Sequence, residues 1–599
     1  MGLIERLGSE YAYLSGALRA LAKVSRIARN PGRTYPDVAR DLALQYGDRV
    51  ALISDREQLT YREYDQRANQ YARWALEIGI AKGDVVALMM PNRPEYLAAW
   101  LGVARAGGVT ALLNTNLTGS PLAHCINIVR PKHIIVDVQL LDRFQEAAAH
   151  LSLGPTLWCH GHAHEGFERL DTRLDALPNG TIPAVELPIL TNDDKCLFIY
   201  TSGTTGLPKA ANINHYRVQS IMFGFNAAMR MTHEDRVYVC LPLYHTSGGV
   251  LAAGAALTAG GSVFIRERFS STLFWDDIVR HDCTVFQYIG ELCRYLLNSP
   301  EHPQETRHRV RLACGNGLRP DIWADFQRRF RIPRILEWYA ATEGNAVFFN
   351  FDGKIGSVGR IPKWAERKFV TEVVRFDFDA EQPVRGEDGC CIKCPPGEVG
   401  EVISKIVNDP KKPSQRFEGY ADPAATEKKV LTDVFAKGDR WFRTGDLMRK
   451  DALGYFYFVD RIGDTFRWKG ENVATSEVSE AITAFPGIKE ANVYGVRVPG
   501  ADGRAGMAAL VVEDGFDLEG FCRHVGKQIP GFARPVFLRV QPQIETTSTF
   551  KPRKVDLVKD GFDPGVMSDP IFFLHPAKQA YCRLDSALHA EICQGKVKL

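Results

Sequence analysis

The sequence predicts an α/β protein built on open, doubly wound sheets, followed by a β-meander and a smaller unit of mixed character. Three observations predict it. Between Asp84 and Asp137, apolar runs alternate with a helical stretch: "DVVALMMPN", then "PEYLAAWLGVARAGGV", then "HIIVD". Strand, helix and strand joined by short turns are the βαβ unit of a parallel sheet. The same alternation returns from Met222 to Leu297, with "DRVYVCLPLYH", "GGSVFI" and "CTVFQYI" as strands. Finally, "RVRLACGNG" (Arg309–Gly317) and "PRILEWYAATEG" (Pro333–Gly344) end in glycine-containing loops, where open α/β sheets place ligands.

Taken in order, the chain opens on a helix. Leu7, Tyr11, Leu14, Leu18 and Leu21 recur at spacings of four and three and mark one face. Arg6, Arg19, Lys23, Arg26, Arg29 and Arg33 surround that stripe. Such a basic amphipathic helix either lies on an anionic membrane surface or docks on its own protein. Next, "YPDVARDLALQYGDRVALI" reads as a helix and a strand before the first βαβ unit. After the second αβ region, "GDRWFRTGDLMRKDALGYFYFVDR" reads as a meander turning at Asp451–Gly454. A smaller α/β-mixed segment runs on to Lys559, and the tail after Asp560 is less patterned.

Composition narrows the function classes. With 599 residues, 45% hydrophobic and 24% charged, the chain can bury a large core. A net charge of +3 gives no case for nucleic acid. Thirteen cysteines without a disulfide rhythm fit a reducing, cytoplasmic setting. The Cys391–Cys394 pair lacks a second ligand pair at zinc spacing, and His160, His162 and His164 in "HGHAH" read as a solvated loop. No apolar run reaches the length of a membrane span, and no signal peptide is visible.

The chemistry concentrates in "TSGTTGLPKAA" (Thr201–Ala211), directly behind the apolar run Leu197–Tyr200. It fails the Walker pattern, because Leu207 and Pro208 separate Gly206 from Lys209 and alanine follows the lysine. A turn rich in glycine and hydroxyls still wraps phosphate oxygens with N–H and O–H donors, and Lys209 adds a mobile positive charge.

This stretch resembles the signature of the adenylate-forming enzymes. Three more follow in the family's order: "YAATEG" (Tyr339–Gly344), "RTGDL" (Arg443–Leu447) and "TSTFK" (Thr547–Lys551). "DRIGDTFRWKGENVAT" (Asp460–Thr475), "CGNGLRPDIW" (Cys314–Trp323) and "GRAGMAAL" (Gly503–Leu510) are similar to the branch of fatty acid transport proteins and very-long-chain acyl-CoA synthetases. The likeness runs from about Arg40 to about Asp560.

The resemblance implies a fold and a reaction. The fold is a large N-terminal domain of doubly wound sheets with a β-barrel-like subdomain, and a small mobile α+β C-terminal domain. Expected segments are the basic helix at 1–35, the large domain at 36–460 and the small domain at 461–599. The reaction joins a long-chain or very-long-chain fatty acid to ATP with Mg²⁺, releasing pyrophosphate; coenzyme A then displaces AMP. The resemblance puts Thr201, Ser202, Gly203, Thr204, Thr205, Gly206 and Lys209 on the β- and γ-phosphates. Thr342 takes the α-phosphate, and Glu343 the magnesium ion. Tyr339 stacks on adenine beside Gly315, Asn316 and Gly317. Asp446 holds the ribose hydroxyls, and Arg461 the ribose or a phosphate. Lys551 bridges the carboxylate and the α-phosphate, Gly463 marks the hinge, and His245 sits near the acyl carboxylate. "TVFQYIGELCRYLL" (Thr284–Leu297) suits either an acyl channel or plain core. Transfer to a carrier-protein phosphopantetheine, uptake by activation-trapping at the inner face of the membrane, and a catalytically dead lipid-binding protein are the rival readings. Lys551, Glu343 and Asp446 together argue against the last.

Overall fold

The computed structural model describes residues 3–162, 164–201, 207–378, 380–501, 503–547, 553–597 and 599. They divide into two compact units. One comprises Met1–Val370, Ser404–Thr432 and Asp439–Phe442; the other comprises Thr371–Ile403, Asp433–Gly438 and Arg443–Leu599.

The first unit is built on two large sheets, as the alternation predicts. In one, the strands run in the order Glu168–Arg169, Thr156–His160, His133–Asp137, Val85–Met89, Val109–Leu112, Lys195–Thr201 and Lys209–Asn214. All neighbours are parallel except the last pair, which closes as an antiparallel hairpin. The other has eight strands, and its order ends Ser262–Ile265, Arg236–Val239, Val285–Ile289, Leu312–Asn316, Ile335–Ala340, Val347–Phe349. Here too the interior pairs are parallel and the last is antiparallel.

Local sequence explains these elements. "HIIVD" is strand throughout because its β-branched residues fit a sheet covered on both faces. The helix Pro94–Arg105 starts on proline, whose missing N–H costs nothing in a first turn, and all its residues are buried. A helix apolar on every side belongs inside. Its one basic residue, Arg105, is satisfied there by Asp65 at 2.6 Å and by Asn69. Nearby, Trp100 stacks on Tyr35 with ring centroids 5.1 Å apart.

The N-terminal helix spans Leu3–Arg29 and has two distinct faces. Ser9, Tyr13 and Ile27 are buried, and Gly16 lies against the Phe351 ring. That face packs on the helix His215–Met229, with Arg19 Nε donating to the Ala227 carbonyl at 3.4 Å. The opposite face carries the predicted stripe outward: Leu7, Tyr11, Leu14, Leu18 and Leu21 are all exposed, as is Ile4. Among the described residues no helix is long and apolar enough to cross a membrane.

In the second unit, the meander strands run in the order Tyr455–Arg461, Arg440–Lys450, Val399–Lys405, Thr371–Asp377, Gln382–Pro383. The predicted turn at Asp451 is fixed by its carboxylate, which accepts from the N–H groups of Leu453 and Tyr455 at 2.9 Å. A five-stranded sheet follows, ordered Ile488–Val496, Ala505–Val512, Phe537–Val540, Ile571–His575, Ala580–Arg583. Its last two strands correct the reading of the tail. The segment after Asp560 supplies a hairpin that buries Ile571, Phe573 and Tyr581. Prolines at 564, 570 and 576 bracket the strand and obscure its short pattern.

Candidate functional site

The two ends of the hydroxyl-rich stretch, Thr201 and Lys209, lie on paired antiparallel strands. Strand Lys195–Thr201 ends where Thr201 pairs with Lys209, the first residue of the returning strand. Ser202, Gly203, Thr204, Thr205 and Gly206 lie outside the described residues. Lys209 places its ammonium 5.6 Å from the centroid of the Tyr420 ring, a cation–π contact. The Tyr420 hydroxyl donates to Glu343 Oε1 at 2.6 Å, with the Thr201 side chain close by. Burial and then the Glu343 carboxylate push this phenol well above the usual tyrosine range. Tyr420 therefore ties the hairpin to the Thr-Glu loop.

That loop follows strand Ile335–Ala340 and is held from beneath by one guanidinium. Arg217 Nε donates to the Thr342 carbonyl at 2.8 Å, and its terminal nitrogen donates to the Ala341 carbonyl at 2.9 Å and to that of Gly344. The Thr342 hydroxyl accepts from Thr246 at 3.2 Å. Thr246 opens a π-helical segment, Thr246–Ala252, immediately after His245. Segments of this wide winding are frequent at functional sites. Asn92 anchors the strand end before it: its amide donates to the Leu241 carbonyl at 2.9 Å and its oxygen accepts from Leu243 N–H at 2.8 Å.

Gly315, Asn316 and Gly317 end the strand beside Tyr339's, so both elements meet at the carboxyl edge of the parallel sheet. A Cβ at Gly315 would come within 2.3 Å of the Tyr288 carbonyl, and Gly317 has φ +82°, so both positions require glycine. Asn316 Oδ1 is buried with no hydrogen-bond partner among the described residues. An orphaned acceptor at this edge suits an amine donor such as the exocyclic amine of adenine. One face of Tyr339 is stacked on Phe348, with centroids 5.5 Å apart.

Under the glycine loop lies a carboxylate that motif reading missed. Glu337 is buried and accepts from Tyr288 O–H and from the N–H groups of Gly317 and Leu318. Burial outweighs these donors and pushes its carboxyl up to about 8. Because the folded state keeps a proton that the unfolded chain gives up, this group's contribution falls as pH rises from its ordinary 4.5 to about 8. Glu337→Gln should therefore flatten the decline in melting temperature between pH 5 and pH 8. A decline as steep as wild type's would show that Glu337 titrates outside this window.

Asp446 and Arg461 belong to the second unit, on adjacent meander strands. They are cross-strand partners, with Nε 3.5 Å from Oδ1. Asp446 is buried, and its N–H donates to Thr444 Oγ1 at 3.1 Å. Arg443, from the same motif, forks onto buried Glu401 at 2.7 Å and is structural. Gly463 has φ +91° in the turn after Arg461. Before it, Asp460 accepts from Thr475 N–H at 2.6 Å and Oγ1 at 2.9 Å, and Lys554 reaches Thr475 Oγ1 at 2.6 Å. Lys551 lies outside the described residues.

The reading of His160 changes, and the apolar stretch takes the core alternative. His160 is no part of a solvated loop: it is buried, with Nε2 3.4 Å from Glu95 and Nδ1 3.6 Å from Asp137. In Thr284–Leu297, Phe286, Tyr288, Leu292, Cys293 and Leu296 are core. Among the described residues no group of three or more His, Cys, Asp or Glu is placed to hold a metal ion. Glu343 alone offers a carboxylate in the Thr-Glu loop, and Mg²⁺ carried on phosphate needs only one or two from the protein.

Parallel strand ends converging on one carboxylate are the architecture of a nucleotide-dependent α/β enzyme. Sequence models agree: that of the AMP-binding enzyme matches residues 40–405, and that of the AMP-binding enzyme C-terminal domain matches 477–551. Long-chain fatty acid transport protein 1 of Mus musculus is 41% identical over 579 residues, covering 95% of this chain and 89% of the relative. Long-chain fatty acid transport protein 6 of the same species is 42% identical over 553 residues, covering 92% and 88%. Among solved structures, ATP-bound MatB from Rhodopseudomonas palustris superposes with a TM-score of 0.71 at 25% identity, covering 88% of this chain and 98% of that one. A benzoate CoA ligase from Burkholderia xenovorans gives 0.72 at 20% identity, covering 88% and 99%. The chain belongs to the AMP-binding enzyme family, in the branch of the long-chain fatty acid transport proteins.

Proposed function

We propose that this protein activates long-chain or very-long-chain fatty acids, using ATP to form an acyl-adenylate and coenzyme A to form the thioester. The observation that carries it is the junction at Tyr420, which brings Thr201, Lys209 and Glu343 together. A carboxylate is a poor electrophile, and AMP makes it a good one. The protein's task is to align two anions and offset their repulsion. Thr201, Lys209 and the hydroxyl-rich turn would grip the β- and γ-phosphates, with Thr342 on the α-phosphate. Tyr339, Asn316 and the flanking glycines would hold adenine, and Asp446 and Arg461 the ribose. Mg²⁺ on Glu343 would neutralise phosphate charge. Lys551 would join carboxylate to α-phosphate, and rotation at Gly463 would then admit coenzyme A. The chain-length class rests on the names of the relatives.

The test measures AMP and pyrophosphate release with oleate, ATP and Mg²⁺, with and without coenzyme A. Acyl-CoA formation supports the reading. Acyl-AMP released without coenzyme A turnover favours transfer to a carrier protein, and no nucleotide turnover with any fatty acid sinks the proposal.

Substrate delivery fits the N-terminal helix. Its docked face leaves the apolar stripe outward, with Arg26 and Arg29 exposed near its end and Trp364 half-exposed beside Glu10, to which it donates at 2.8 Å. Tryptophan at such an edge suits a lipid interface. Peripheral contact with an anionic leaflet is the expected location. Leu14→Glu/Leu18→Glu should reduce co-sedimentation with vesicles containing phosphatidylserine by about tenfold, as two charges replace exposed apolar groups that would enter the lipid. Undiminished binding, with melting temperature intact, would return this stripe to an inert role.

A further inference from the structure

The Thr-Glu loop is held by a residue outside every motif. Arg217 is the third residue of the helix His215–Met229, and nearly all its neighbours on that helix are apolar or uncharged. Its backbone N–H is fixed by the helix cap, donating to Asn214 Oδ1 at 2.9 Å. Asn214 in turn donates to Glu418 Oε1 at 3.1 Å, two residues before Tyr420. The guanidinium then spans the carbonyls of Ala341, Thr342 and Gly344, on both sides of Glu343. Burial lowers the affinity of this guanidinium for its proton, and the carboxylates of Glu343 and Glu418 oppose that effect.

The arrangement leaves Glu343 little choice of direction. Its backbone is pinned before and after, and its Oε1 is taken by the Tyr420 hydroxyl. Among the described residues Oε2 has no hydrogen-bond partner. A carboxylate held by one oxygen, with the other open, is prepared for a hard cation. The fork delivers its donors from two separate nitrogens in a fixed plane, a spread that the single ammonium nitrogen of lysine does not reproduce.

We propose that Arg217, assisted by Tyr420, is a positioning residue that orients Glu343 toward the divalent cation carried on the nucleotide. The inference rests on the adenylation reading and adds the residues that set its metal dependence. Arg217 itself touches neither nucleotide nor acid; it acts through the loop.

The test compares wild type with Arg217→Gln, Arg217→Lys and Tyr420→Phe. The first readout is binding of Mn²⁺·ATP by calorimetry, without fatty acid. The second is the Mg²⁺ concentration giving half-maximal adenylation at saturating ATP. The third is melting temperature. Arg217→Gln should weaken Mn²⁺·ATP binding and raise the Mg²⁺ requirement by about 10-fold or more, in the range seen when a metal ligand loses its supporting partner. Tyr420→Phe should move both in the same direction by about threefold, since it removes one hydrogen bond and keeps the ring. Arg217→Lys should behave like the glutamine variant. A lowered melting temperature with unchanged metal dependence in the folded variants would overturn the inference and leave Arg217 a purely structural residue. If Arg217→Gln does not fold, Tyr420→Phe decides: an unmoved Mg²⁺ requirement there overturns the shared role. Should wild type bind Mn²⁺·ATP but turn over no fatty acid, the adenylation reading fails while calorimetry still judges Arg217.

Discussion

Lys551→Ala should lower the rate of acyl-adenylate formation by about 10²–10³, the usual cost of removing one preorganised donor from a developing charge. The physical reason is repulsion. The fatty-acid carboxylate and the α-phosphate are both anionic, and the bond between them forms only if something positive sits in the gap. An ammonium there gains most when the two oxygens are closest, so it stabilises the transition state more than the separate ligands. The kinetic signature follows. Adenylation should fall far more than thioester formation from supplied acyl-AMP, because the second step no longer brings two anions together. ATP binding should change little, since Thr201 and Lys209 would retain the phosphates. Pyrophosphate exchange and a single-turnover assay with synthetic oleoyl-AMP measure the two steps separately. Equal losses in both would count against a lysine that serves only the first.

The candidate site was legible where its residues are local in sequence. Thr201, Tyr339–Glu343 and Gly315–Gly317 each sit at a strand end, and strand followed by glycine and hydroxyl residues is a pattern that a single segment displays. Arg217, Tyr420 and Glu337 were not legible, because their partners are distant. Arg217 binds carbonyls 124 to 127 residues away, and backbone carbonyls carry no sequence identity at all. Tyr420 lies in a turn-rich stretch whose neighbours gave no hint of Glu343, 77 positions earlier. A faint signal existed for Arg217: one arginine early in a nearly apolar helix needs a buried set of acceptors. For the fold, the βαβ rhythm located the strands of the first unit well. The stripe on the N-terminal helix was visible too, but spacing cannot tell whether a stripe faces inward. Here packing uses the face of Ser9, Tyr13 and Ile27 instead, which reads as less apolar.

The same limit governs "HGHAH", and it leads to the second large effect. The segment reads as solvated, yet strand Thr156–His160 pairs in parallel with His133–Asp137, and the register sets His160 opposite Asp137. The imidazole is thereby buried between two carboxylates. Burial alone would lower its affinity for a proton, but the neighbouring carboxylates of Asp137 and Glu95 outweigh that and push His160 up to about 9. Glu95 is held down at about 2: burial would raise it, but His160, 3.4 Å away, and the charge of Arg67, 2.8 Å away, prevail. Arg93 balances Asp137 at 3.4 Å and Glu57 at 3.0 Å. His160 binds its proton more tightly folded than unfolded. Its contribution is therefore complete below its ordinary 6.5 and disappears as pH rises through about 9. The difference between those two values corresponds to about 3 kcal/mol. His160→Gln should lose about that much local stability at pH 6 and approach wild type by pH 10. Hydrogen exchange of peptides covering 133–160 reads this as a change in local protection. A deficit of the same size at both pH values would mean that shape, and not charge, keeps His160 in place.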